Sequence, residues 1–154
     1  MEAQLMETHW TERWIGHRAE DCAALVSHVL RVEFGSDIAL PAAPGGIRAN
    51  DAAIRDALMC EAGRKTGCAT GRATEGGIAR RLGARERACD GDGVLMRARG
   101  RRAGLGHHIG LYADMTEPAC LHWQPGLGTV LHRLRILPAR GLVVVGLYRW
   151  ETGS

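Results

Sequence analysis

The sequence predicts an α+β fold, with N-terminal helices packed on a C-terminal antiparallel β-sheet of about five strands. Two observations carry that reading. The segment CAALVSHVLRVEFG places Leu25, Val26, Val29 and Leu30 on one face of a helix. Beyond Gly83 the texture changes to short β-branched or alternating runs: GVLMRA, HHIGLYA, ACLHW, TVLHRLRIL and GLVVVGLYRW. Gly, Pro and Asp separate these runs and no helical pattern intervenes, so neighbouring strands are expected to pair antiparallel.

Each element has its own signal. Trp10, Trp14 and Ile15 recur at helical spacing, which predicts a short helix before a tight loop at Gly16. Asp21 is the expected cap of the next helix, because its carboxylate can accept the unpaired N–H groups of a first turn. Gly35 is its expected stop. Pro41, Pro44, Gly45 and Gly46 mark a loop. Asn50 or Asp51 is expected to cap a second helix running to about Glu61 and stopped by Gly63. Residues 63 to 73 read as loop, and a short third helix is expected over Glu75–Leu82, weakened by Gly76 and Gly77. GRRAGLG reads as the loop between the first two strand runs.

The 154 residues fit a single domain, 1–154. A chain of that size buries roughly two-thirds of the surface its unfolded form exposes, so a real core is available. The 45% hydrophobic and 24% charged fractions are ordinary for a globular chain and argue against long disorder. Net charge is only +3, yet of 20 Lys+Arg residues only Lys65 is lysine. Guanidinium groups bind carboxylates and phosphates through two parallel donors, so such a surface suits anionic partners, although GC-rich coding gives the same bias. The cluster Arg80, Arg81, Arg85, Arg87, Arg97, Arg99, Arg101 and Arg102 has no interleaved aromatics on which bases could stack, so nucleic acid is not an expected partner.

No run approaches the ~18 apolar residues that span a bilayer. The start, MEAQLMETHW, lacks the basic-then-apolar pattern of a signal peptide, so synthesis in the cytoplasm without the usual export route is expected. Five cysteines, an odd number, do not suggest a disulfide framework. Cys60, Cys68, Cys89 and Cys120 form no C-x-x-C pair, so no metal site and no cofactor are expected.

Cys22 carries the chemical signal. It falls in the first turn of a helix, directly behind an acidic cap. Unpaired N–H groups and the helix dipole favour negative charge there, and the thiolate is the reactive form of cysteine. A nucleophilic cysteine needs a base and a group that orients the base. The run HHIGLY offers one: His107, Ile109 and Leu111 share one strand face, and His108, Gly110 and Tyr112 share the other. Gly110 beside His108 leaves room for another element, and a helix carrying Cys22 is expected there. In the next run Cys120, His122 and Gln124 share a face, so His122 can hydrogen-bond the far nitrogen of His108 and fix its tautomer.

In order, DCAALVSHVLRVEFG, GDGVLM, HHIGLY and CLHW resemble the NlpC-type papain-like cysteine peptidases, bacterial cell-wall endopeptidases. The correspondence runs through Asp21-Cys22, Gly91-Asp92, His108-Ile109-Gly110 and His122, and is weakest over residues 42 to 88. The runs GTVLHRLRIL and GLVVVGLYRW look like the branch found in phage tails and gene-transfer particles. The resemblance implies a papain-like fold and a Cys22-His108-His122 triad. It also implies a peptidoglycan stem peptide as substrate, with the D-glutamyl-diaminopimelate bond as the point of cleavage. Phage-tail or tail-like structural proteins are the implied partners, and a particle would bring the enzyme to the cell wall or periplasm. Ala23 and Ala24 stand where the family usually has Ser or Trp and then Gly, and WIGHRAEDC lacks the upstream Tyr that often helps bind the oxyanion. Asp21 and His17 are the expected support for the oxyanion and the helix start, with Arg18, Arg101 and Arg102 as candidate substrate contacts. The alternative is a tail-tip structural or assembly protein that keeps the fold with little or no hydrolysis.

Overall fold

The computed structural model describes residues 9–38, 40, 79–99 and 107–151. The expected helix over residues 50–61, most of the loops around it, and the GRRAGLG loop with Arg101 and Arg102 lie outside the described residues.

A 3-10 helix, Trp10–Trp14, is the realised form of the first predicted helix. It ends in a turn at Gly16, whose φ of 84° suits a residue without a Cβ. The chain then lies against the edge of the sheet: the Thr129 N–H and hydroxyl both donate to the His17 carbonyl, at 3.0 and 2.7 Å. The helix α1, Cys22–Phe34, begins as the sequence predicts. The Asp21 carboxylate accepts the Ala24 N–H at 2.7 Å, and the left-handed Gly35 returns its N–H to the Leu30 carbonyl. Trp14 ties the 3-10 helix to α1 by donating its indole N–H to Glu33 at 2.7 Å.

The sheet has six strands: β1 (Ala79–Arg81), β2 (Gly93–Ala98), β3 (His107–Ala113), β4 (Ala119–Gln124), β5 (Gly128–Arg133) and β6 (Leu142–Trp150). Their order is β1-β6-β2-β3-β4-β5 and all neighbouring pairs are antiparallel. The α+β architecture and the antiparallel sheet follow the sequence reading, with two differences. Ala79–Arg81, expected inside a helix, is an edge strand, because Ala79 and Arg81 pair with Trp150 and Tyr148 of β6. The run TVLHRLRIL is divided: β5 stops at Arg133, and Leu134–Arg140 forms a 3-10 helix containing Pro138.

Strand alternation divides the core into two layers. On one face, Leu95, Ile109, Leu111, Leu121 and Tyr148 pack with Leu25, Val26, Val29 and Leu30 of α1. On the other, Val94, Met96, Tyr112 and Cys120 pack with Leu137 of the second 3-10 helix. Leu25, Val26 and Val29 are fully buried, and each such side chain contributes roughly 1.5–3 kcal/mol relative to exposure. Thus α1 lies on the Ile109 face, across β3 and β4.

The Gly-Asp turn before β2 is tied on several sides. Asp92 accepts the Cys89 N–H at 2.7 Å and the Arg149 guanidinium at 3.0 Å. Trp150 donates its indole N–H to the Gly91 carbonyl at 2.7 Å. Gly91 has a φ of 86°, a left-handed backbone that favours glycine, and a Cβ there would push on the Phe34 ring at 2.8 Å.

Candidate functional site

Cys22 is the first residue of α1 and is buried at 3% exposure. At that position the backbone N–H groups of a first helical turn have no carbonyl within the helix to pair with, and they point out from its end. The thiol belongs to the layer that contains Ile109, Leu111 and Leu121. Asp21 performs the capping role predicted for it.

The histidines assemble on the other layer. The Nε2 of His108 lies 3.2 Å from Nδ1 of His122, the contact the sequence predicts. The rings meet edge to face, with centroids 5.3 Å apart. Register explains the meeting: Gly110 pairs with His122, so His108, Gly110 and His122 share a face. Gly110 is indispensable to it. A Cβ at that position would strike the Cys120 sulfur, the Leu121 carbonyl at 2.7 Å and the His122 Cβ at 3.0 Å. The element packed against Gly110 is therefore β4, rather than the expected α1.

The row continues beyond the predicted pair. The Nε2 of His122 lies 3.0 Å from Nδ1 of His132 on β5. His132 pairs with Cys120 in the β4–β5 register, which sets it diagonally beside His122. Sequence reading did not single out His132. Its signal was the alternation in TVLHRL, which puts Val130 and His132 on one face, but that face is meaningful only once the β4–β5 register is known.

Burial shapes the titration of the row. Desolvation pushes His108 down to about 4, opposed in part by the Trp123 backbone carbonyl that accepts from it. Desolvation pushes the fully buried His122 down to about 3, with His108 and His132 adding to the effect. His132, which is only half-buried, is lowered by desolvation and then by the nearby Arg140. All three imidazoles are therefore neutral at neutral pH, each with one N–H and one basic nitrogen.

The remaining predicted residues divide. The His17 ring packs edge-on against Trp14 and His28, with centroids 5.1 and 5.5 Å away, and its carbonyl is held by Thr129. Arg18 is exposed. The structure thus brings His108 and His122 together and adds His132, while Cys22 sits in the layer on the other side of the sheet. Burial also pushes the Cys120 thiol up, which leaves it a packed core residue.

The fold and the site define an α+β chain with a capped helix-start cysteine and a buried histidine row. Comparison with protein-family models, with curated proteins and with solved structures gives no match. Among the described residues no helix is long and apolar enough to cross a membrane.

Proposed function

We propose that the chain is an NlpC-type cysteine peptidase that hydrolyses amide bonds in peptidoglycan stem peptides, with Cys22 as its nucleophile. The supporting observation is the placement of Cys22. It opens a 13-residue helix behind the Asp21 cap, and that helix lies on β3 and β4, the strands that bear His108 and His122. The thiolate attacks the peptide carbonyl, and an imidazole takes the thiol proton and returns it to the leaving amine. Water then releases the acyl-enzyme. The Cys22 backbone, at the start of the helix where the dipole favours negative charge, is the proposed first support for the oxyanion.

The resemblance favours His108 as the base, oriented by His122. Strand parity favours its neighbour: position 107 has the parity of Ile109 and Leu111, whose face α1 covers. The D-glutamyl-diaminopimelate bond is the proposed target, because its flanking carboxylates suit an arginine-rich chain. Delivery by a tail-like particle fits the same reading.

Mass spectrometry of stem peptides digested by wild type, Cys22→Ala, His107→Ala and His108→Ala tests nucleophile, base and bond together. Wild type should cut, Cys22→Ala should not, and only one histidine variant should abolish cleavage. Intact stem peptides after incubation with reduced wild type would refute the substrate assignment.

One observation favours a second reading, a tail-tip structural protein. His108 and His122 stand on the sheet face opposite the layer of Cys22. In that case Cys22 should react with alkylating reagents at neutral pH no faster than the equally buried Cys120. A working nucleophile should outpace Cys120 by orders of magnitude.

A further inference from the structure

β5 is an edge strand of the sheet, and one end of it already holds an extended segment of this chain. The Gly16 N–H donates to the Thr129 carbonyl at 2.8 Å, and the Thr129 N–H donates to the His17 carbonyl at 3.0 Å. Thr129 therefore turns its backbone groups away from β4. In an antiparallel pair such residues alternate with those that bond the neighbouring strand, so Leu131 and Arg133 face the same way as Thr129. The Arg133 carbonyl is taken up by the second 3-10 helix, which Arg133 caps. That leaves the Leu131 N–H, the Leu131 carbonyl and the Arg133 N–H, and among the described residues no backbone group meets them from the outer side.

Beside these three groups lies a cavity of about 450 Å³ lined by Met115, Thr116, Glu117, Ala119, Leu131 and Arg133. Its floor is apolar and its rim is charged. Arg133 and Arg135 both direct their Nε toward one oxygen of Glu117, at 3.1 and 3.0 Å. Two exposed guanidinium groups share one carboxylate, so one positive charge is in excess.

We propose that this edge docks an extended, acidic peptide segment of a protein partner, which adds to the sheet as a further strand beyond β5. The backbone of that segment completes the hydrogen bonds of Leu131 and Arg133, as Gly16 and His17 complete those of Thr129. Side chains on one face of the added strand set an apolar group in the cavity over Leu131 and a carboxylate against the Arg133 and Arg135 guanidinium groups. A second copy of this chain fits less well, because pairing β5 with β5 gathers Arg133 and Arg135 of both copies on one short edge. Docking here does not require that Cys22 cleave peptides.

The probe is a synthetic hexapeptide with blocked ends, Thr-Val-Thr-Glu-Thr-Glu, titrated into the isotope-labelled full chain at low ionic strength and followed by amide NMR. We expect the Leu131 and Arg133 amides to shift, and their fast hydrogen exchange in the free chain to slow on binding. The lysine counterpart, Thr-Val-Thr-Lys-Thr-Lys, should bind about tenfold more weakly. Arg133→Gln combined with Arg135→Gln, at two exposed side chains, should erase that difference. The comparison of the two peptides in wild type stands without the variant. Slow exchange of both amides in the free chain would overturn the proposal, since the chain itself would then cover the edge. Equal binding of the two peptides, unshifted Leu131 and Arg133 amides at millimolar acidic peptide, or self-association of the chain through these amides would overturn it as well.

Discussion

Asp92 and Arg149 join the two ends of the sheet-forming region: the buried carboxylate, 57 residues earlier in the chain, holds the guanidinium at 3.0 and 3.3 Å. The same carboxylate accepts the Cys89 N–H, so it serves a turn and a strand together. Asp92→Ala leaves that N–H without its acceptor and strips the Arg149 guanidinium of this carboxylate, leaving it the Arg87 carbonyl and the Cys89 sulfur. We expect a loss of about 2–3 kcal/mol of stability in urea unfolding. Asp92→Asn, which keeps an acceptor but no charge, should lose less.

Acid should destabilise the fold before the carboxylates titrate. A free histidine protonates near about 6.5, whereas His108 does so in the fold only at about 4 and His122 at about 3. Between those values the unfolded chain binds more protons than the folded one, so stability rises with pH. The contribution is complete above about pH 6.5 and is lost progressively as pH falls toward 4, by an amount on the order of a few kcal/mol. Urea midpoints measured from pH 7.5 to 4 should decline through this window. His122→Phe should flatten that slope.

Gly110→Ala should be severe for a single methyl group. The Leu121 carbonyl, 2.7 Å from the new Cβ, is held in the β3–β4 ladder and cannot retreat without opening it. Overpacking of this kind costs about 1–3 kcal/mol. The His122 ring, carried on the displaced backbone, should also lose its contact with His108, which would show as a changed His122 ring signal.

Thiol chemistry should follow exposure. Among the described cysteines Cys89 is exposed, and the Arg149 guanidinium lies 3.4 Å from its sulfur. It should be alkylated in the native protein well before Cys120, which should react only on unfolding, while a Cys22 that works as a nucleophile should outpace both. Peptide mapping after brief iodoacetamide treatment checks the order. A Cys89→Ser background then isolates the Cys22 rate on which the peptidase reading depends.

Local signals made the helix and most of the sheet legible. Asp21, the Leu25–Leu30 stripe and Gly35 specify α1 through contacts within one or two turns, and they are realised residue for residue. The His108–His122 contact was legible for a similar reason, since alternation in two adjacent runs settles their common face. What local pattern could not supply was pairing at a distance. Ala79–Arg81 is a strand only because β6, some seventy residues later, lies beside it. Alternation also separates His107 from His108 without saying which face a helix will cover, because both faces of β3 carry apolar residues. Ile109 and Leu111 are buried under α1, whereas Tyr112 is buried on the other side.

The strand order has a consequence for synthesis. Of the described strands, β6 is synthesised last, yet it occupies an interior position, between β1 and β2. Until Leu142–Trp150 emerges, β2 offers a bare hydrogen-bonding edge and β1 has no neighbour in the sheet. The growing chain must therefore wait with Val94, Leu95 and Met96 on an unfinished edge. Arrival of β6, rather than growth of the sheet strand by strand, is the event that closes the exposed β2 edge.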